Sequence, residues 1–193
     1  CHKGALAAAV QQVGNTVVGV DFPSLADAAQ AAYGIPSVGH DLNQQFPFAD
    51  SQFDVALACG VLDYIADDLR FLRECYRILQ PGGMLIVIVM NQVSLPKRIR
   101  AVLGQMDRDF SRPDGFHTLH RYTLGGIRML VEVAGFRVVK ATKCPSGNPR
   151  FPLWSWMQRC LPATLATDLA VRAVKPATAA EALTRHRSMA DVR

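Results

Sequence analysis

An unbroken apolar run, Met84-Leu-Ile-Val-Ile-Val-Met90, stands directly after the triplet Pro81-Gly82-Gly83 and a stretch of mixed polarity. This succession constrains the chain more than any other feature. Apolar residues without alternation suit a strand buried on both faces, as strands are in a parallel sheet covered by helices. The stretch before it reads as that cover. Between Ala66 and Leu79 the apolar residues Leu69, Leu72, Tyr76 and Leu79 recur at helical spacing, and Asp67, Asp68, Arg70, Arg73, Glu74 and Arg77 occupy the remaining surface. Pro-Gly-Gly is expected to end this helix before the strand begins.

The same alternation runs through the rest of the chain. Ala5 to Val13 predicts a helix, and after Gly14-Asn15 the β-branched run Thr16 to Val20 predicts a strand ending at Asp21. Pro23 and Ser24 open a helix to about Tyr33, with Ser24 available as its cap, and Gly34 stops it. Ile35 to Val38 and Phe53 to Cys59 read as further strands. Thr123 caps a helix to Ala134, and strands follow at Phe136 to Ala141 and Leu169 to Val174. Apolar strands alternating with helices predict an α/β domain with a doubly wound, mostly parallel sheet and helices on both faces. The last two strands, joined without a regular crossover, predict a C-terminal antiparallel hairpin.

Residues 1–175 read as one domain, with an insertion at 92–116 that includes a basic helical piece around Leu95 to Leu103, and 176–193 as a tail with little to pack. The insertion, with Trp154 and Trp156, is expected to cap an acceptor pocket. The chain opens on Cys1-His-Lys-Gly4 and runs straight into a helix, so the expectation is a fragment whose first strand is missing and which folds poorly without it.

Composition narrows the function classes. No apolar stretch approaches the roughly 20 residues that span a bilayer, so no transmembrane segment is expected, and the lack of a secretory leader pattern makes the cytoplasm the expected compartment. The five cysteines are widely and irregularly spaced, which argues against zinc and favours buried thiols. A formal charge of +5 suits nucleic acid or anionic lipid, but the basic residues are scattered and not interleaved with aromatics, so no nucleic-acid partner is expected.

In an open parallel sheet, ligands collect beyond the carboxyl ends of the strands. Several informative residues fall at those ends. Gly4 stands at the entrance to the first helix, where a missing side chain lets a ligand approach the backbone. Asp21 ends the next strand, where a carboxylate can accept two ribose hydroxyls. Asp41 follows the third strand and suits an amino group, and Cys59 with Gly60 ends the fourth. Each residue has an ordinary structural alternative as turn or cap; their joint order is the signal.

Those residues lie in segments that resemble the class I S-adenosylmethionine-dependent methyltransferases, especially the small-molecule enzymes related to ubiquinone and menaquinone methylation. The carriers are Val18-Gly-Val-Asp21, Asp41-Leu42 with Phe46-Pro-Phe48, Phe53 to Ile65, and above all Phe71-Leu-Arg-Glu-Cys-Tyr-Arg-Ile-Leu-Gln-Pro-Gly-Gly83. His120-Arg-Tyr-Thr-Leu124 and Ala134-Gly-Phe136 echo the family's late helix and strand. The resemblance implies a Rossmann-like fold, S-adenosyl-L-methionine as cofactor and a small-molecule methyl acceptor. It implies further that Gly4 belongs to the cofactor loop, that Asp21 binds ribose, that Phe22 lies along adenine, that Asp41 with Leu42 receives the adenine amino group, and that Cys59 approaches through backbone. His2 stands where the family has a second glycine.

Transfer of a sulfonium methyl asks for in-line alignment and exclusion of water more than for reactive side chains. A base is needed only for an acceptor that is protonated at neutral pH. Tyr64, His117, His120 and Tyr122 are the candidates for acceptor contact or proton removal. His117 and His120 also form a His-x-x-His pair, but no further ligand is spaced to complete a metal site. Two competing readings are a methyltransferase-like binding or regulatory protein without turnover, and a nicotinamide-dependent reductase. The second lacks a Tyr-x-x-x-Lys pair, since none of Tyr33, Tyr64, Tyr76 and Tyr122 has a lysine four residues on.

Overall fold

The computed structural model describes residues 4–104, 118–144, 162 and 166–177. Its contacts divide the chain into two units, Cys1–Phe48 and Ala49–Arg193. The predicted positions of His117, Trp154, Trp156 and most of the 176–193 tail lie outside the described residues.

The first unit orders as α1 (Ala5–Gln12), β1 (Gly19–Asp21), α2 (Pro23–Tyr33) and β2 (Ser37–Gly39). β1 and β2 pair in parallel, Gly19 opposite Ser37 and Asp21 opposite Gly39. The pairing is shorter than the Thr16–Val20 pattern suggested. Gly19 N–H donates to Pro36 O at 2.8 Å, and Pro36 has no N–H with which to extend the ladder. Ser24 is not the cap of α2: Phe22 holds that position without a side-chain bond, Pro23 starts the helix, and Ser24 lies inside it. Proline accounts for this, because its fixed φ suits the first helical residue and its absent N–H needs no partner. Ala26, Ala29 and Ile35 form a small core in which two helix positions are alanine, letting neighbouring backbone come close.

The second unit holds β3 (Phe53–Cys59), a 3-10 turn at Leu62–Tyr64, α3 (Asp68–Ile78), β4 (Leu79–Met90), α4 (Leu95–Val102), α5 (Leu124–Val133), β5 (Arg137–Cys144) and β6 (Asp168–Val174). The sheet order is β3-β4-β6-β5. β3 runs parallel to β4, and β6 runs antiparallel to both β4 and β5. The antiparallel hairpin is present, but its last strand lies inside the sheet between β4 and β5 and not at its edge. Leu85, Val87 and Val89 of β4 and Leu169, Val171 and Ala173 of β6 are buried on one face. That alternation follows from the register, which sets Leu85 beside Ala173 and Val87 beside Val171.

The helix before Pro-Gly-Gly ends at Ile78, within one residue of its pattern, but the triplet does not end it. Leu79 is already extended, at ψ 139°, and pairs with Phe53, so β4 begins ahead of the triplet, which sits within the strand at a register shift. Lys175 Nζ donates to Tyr76 O at 2.8 Å in the last turn of α3 and to Leu79 O at 2.6 Å just beyond it, supplying donors where the helix has none of its own. At the other end Asp67 caps α3 by accepting from Arg70 N–H at 2.9 Å. Thr123 caps α5 as expected, its Oγ1 accepting from Gly126 N–H at 3.1 Å. Tyr76 of α3 and Phe136 meet edge to face with centroids 5.1 Å apart.

Candidate functional site

Four of the predicted cofactor residues sit at the carboxyl end of the β1–β2 pair. His40 N–H donates to Asp21 O at 2.8 Å, so the segment that carries Asp41 leaves β2 directly beside the end of β1. Asp21 Oδ1 accepts the N–H of Phe22 at 2.9 Å, which fixes the carboxylate at the start of α2. Phe22 itself is 43% exposed, an aromatic face held outward at the strand end. Asp41 Oδ1 accepts both the backbone N–H and the side-chain amide of Asn43, at 2.9 and 3.0 Å. These bonds hold the Asp41 carboxyl below its ordinary range, so it is an anion and an acceptor at neutral pH. Leu42 is half-buried beside it.

Two glycines set the helix packing in this unit. Gly4 takes φ 86° as the N-cap of α1, and a Cβ there would lie 2.9 Å from Ala29 Cβ, so its missing side chain already serves the packing of α1 on α2. At Gly39 a Cβ would fall 2.8 Å from Pro23 Cα, and glycine is what lets α2 start over the end of β2. The donor set therefore suits a nucleoside: a strand-end carboxylate for vicinal hydroxyls, an aromatic face, and a second carboxylate with a leucine for an amino-bearing ring.

The second unit carries the other predicted positions. Cys59 ends β3 and is exposed, against the expectation of buried thiols that Cys75 does fulfil. Desolvation, then the nearby Cys144 and Asp168, push the Cys59 thiol up, away from the thiolate that a nucleophile needs. Tyr64 closes the 3-10 turn with its N–H on Val61 O at 3.0 Å and is half-buried. His120 is tied to the same turn, since its N–H and that of Leu119 both donate to Asp63 O, at 3.2 and 2.8 Å. The Nε2 of its ring lies 3.2 Å from Ala66 O, to which it donates, and Nδ1 stands 3.9 Å from Asp68 Oδ2. Tyr64 and His120 are thus brought to one turn. Tyr122 is 6% exposed and donates to Asp68, and burial followed by that bond raises its phenol far above its ordinary value. A phenol so held does not remove protons near neutral pH.

Two residues escaped the sequence reading. Asp63 is 1% exposed, and among the described residues its Oδ2 has no hydrogen-bond partner. Desolvation raises its carboxyl to about 6, opposed by a hydrogen bond from the Met90 backbone and by Lys97, and helped by Asp168. Its only signal in the sequence was an acid set among Val61, Leu62 and Ile65. Asn91, fully buried at the end of β4, was also missed; its Nδ2 donates to Ala166 O at 2.7 Å and its Oδ1 accepts from Val93 N–H at 3.1 Å.

The known proteins similar to this chain include methyltransferases. A family profile described as a methyltransferase domain matches residues 1–87. A protein of Mycolicibacterium smegmatis named as a probable S-adenosylmethionine-dependent methyltransferase is 30% identical over 139 residues, which are 72% of this chain and 50% of that protein. A ubiquinone biosynthesis O-methyltransferase of Dinoroseobacter shibae is 28% identical over 184 residues, covering 92% of this chain and 71% of that one. Among solved structures, an S-adenosylmethionine-dependent methyltransferase from Mesorhizobium loti superposes with a TM-score of 0.68 at 17% identity, over 90% of this chain and 87% of that one. Over residues 1–87 the chain is similar to that methyltransferase family, and its fold is the one seen in the solved methyltransferase. The cofactor of that family is S-adenosyl-L-methionine, and the chain spans half the length of the first of these relatives.

Proposed function

We propose that this chain binds S-adenosylmethionine and transfers its methyl group to a small-molecule acceptor by in-line displacement. The observation that carries the reading is the pair of carboxylates, Asp21 and Asp41, set at adjoining strand ends with Phe22 and Leu42. In this assignment Asp21 takes the ribose hydroxyls, Phe22 and Leu42 flank the adenine, and Asp41 accepts from its amino group. Gly4 lies at the N-terminus of α1 beside the methionine portion, and Cys59 contributes backbone. The bound cofactor supplies a methyl already activated by the positive sulfur. The residues of the chain have then to orient, hold and exclude water.

On the acceptor side we assign Tyr64 and His120 as contact residues, His120 being the one with a ring nitrogen able to take a proton. The small-molecule class is supported by likeness to the ubiquinone O-methyltransferase of Dinoroseobacter shibae. The test has two stages. Calorimetric titration with S-adenosylhomocysteine and, separately, with NAD is expected to give binding only to the first; tight NAD binding alone overturns the reading. Methyl-labelled cofactor is then incubated with extracted small-molecule and macromolecular fractions. Label is expected in the small molecules, and label confined to protein or nucleic acid overturns the acceptor class.

A further inference from the structure

Asp63 joins three segments of the second unit. It is the middle residue of the 3-10 turn that follows β3. Its carboxyl, buried with the residue, accepts hydrogen bonds from the backbone of Met90, the last residue of β4, and from its own N–H. Its carbonyl holds the segment that leads to α5, accepting the N–H of Leu119 at 2.8 Å and of His120 at 3.2 Å. Two residues further on, that segment is fixed independently: Gln92 N–H donates to Tyr122 O at 2.8 Å, and the Tyr122 phenol donates to Asp68 Oδ2 at 2.9 Å. A displacement of the turn is therefore taken up at Leu119 and His120. The contacts it alters are those of the His120 ring, Nε2 at 3.2 Å from Ala66 O and Nδ1 at 3.9 Å from Asp68 Oδ2.

We propose that Asp63 is a positioning residue: its carboxyl anchors the turn to the end of β4, its carbonyl seats Leu119 and His120, and a change of charge on the carboxyl reaches the histidine as a change of place. The inference deepens the assignment of Tyr64 and His120 to the acceptor side and rests on it for its catalytic meaning, Tyr64 being the next residue of the same turn. Its physical ground is the cost of burying a charge. The neutral acid suits the packed site, whereas the anion is stabilised by drawing the turn toward water, and the carbonyl of the same residue moves with it. Charged and titratable groups face Asp63 from several elements. Lys97 of α4 favours the anion, Asp168 at the start of β6 opposes it, His120 follows on the segment that Asp63 holds, and Tyr122, bonded to Asp68, presents a phenol that stays neutral. Desolvation outweighs the favourable contacts, so the carboxyl titrates at about 6 and the coupling falls near neutral pH.

The test is proton–nitrogen correlation spectroscopy of the whole chain from mildly acid to mildly alkaline pH. The amide signals of Leu119 and His120 are expected to move together through one step with a midpoint at about 6. Asp63→Asn keeps the shape without the charge, and should abolish the step and hold both signals near their acid positions. His120→Gln removes the ring that titrates in the same range, and the Leu119 step should survive it. Asp63→Glu should restore a step at both amides. A step that persists in Asp63→Asn and disappears in His120→Gln belongs to the histidine and overturns the proposal, as do wild-type amides that show no step. These signals need neither cofactor nor acceptor. Their failure leaves the methyl-transfer reading standing, and failure of that reading in the calorimetric titration leaves them intact.

Discussion

The phenol of Tyr122 donates to Asp68 Oδ2 at 2.9 Å, joining the residue before the α5 cap to the first residue of α3. The same oxygen lies 3.9 Å from His120 Nδ1. One carboxylate at a helix N-terminus, where negative charge is favourable, thus organises the segment that carries His120. Tyr122→Phe keeps the ring and removes the bond. It should lower stability by about 1 kcal/mol, read as a fall in the urea midpoint; an unchanged midpoint would show that the bond contributes nothing.

Asp63 predicts an unusual dependence of stability on pH. Its carboxyl titrates at about 6 in the folded chain, above its ordinary 3.8, so the native state holds more protons between those values. Stability from this group is therefore highest below 3.8 and is lost as pH rises through about 6. Asp63→Asn resembles the protonated acid. Urea titrations should show it more stable than wild type at neutral pH, with the gap closing in acid; a gap that widens in acid would contradict the assignment.

On the proposed assignment, Asp21→Ala removes charge-assisted bonds to the ribose. Cofactor affinity should fall by about 1.5–3 kcal/mol, roughly ten- to a hundredfold in Kd, with the fold retained by circular dichroism. Calorimetry with S-adenosylhomocysteine reads this directly, and an unaltered Kd would remove Asp21 from the site.

Lys175→Met deletes the ammonium that caps α3 and lies 4.7 Å from the centre of the Tyr76 ring. Two carbonyls, of Tyr76 and Leu79, lose their donor. A loss of about 1–3 kcal/mol is expected in thermal unfolding. Lys175→Arg should recover part of it, and equal stability of both variants with wild type would show that the contact does not hold the helix end.

Much of this protein was legible in one dimension because the determining physics is local. The periodicity of Asp68–Ile78, the β-branched and apolar run of Phe53–Cys59, and the cap at Thr123 each depend on neighbours within a few residues, and each element formed where its pattern lay. The strand-end placement of Asp21 and Cys59 was legible for the same reason, as was the basic helix at Leu95.

What only the tertiary structure decided rests on partners distant in sequence. The donors at the end of α3 come from Lys175, nearly a hundred residues on, whose ammonium no local pattern places at that helix terminus. The seat of β6 between β4 and β5 is a choice of pairing partners, to which alternation along a strand is blind. The burial of Asp63 is a property of everything packed around it, and so is the exposure of Ile99 and Val102 on α4. Periodicity fixes which residues share a face; only the assembled chain decides whether that face meets core or water.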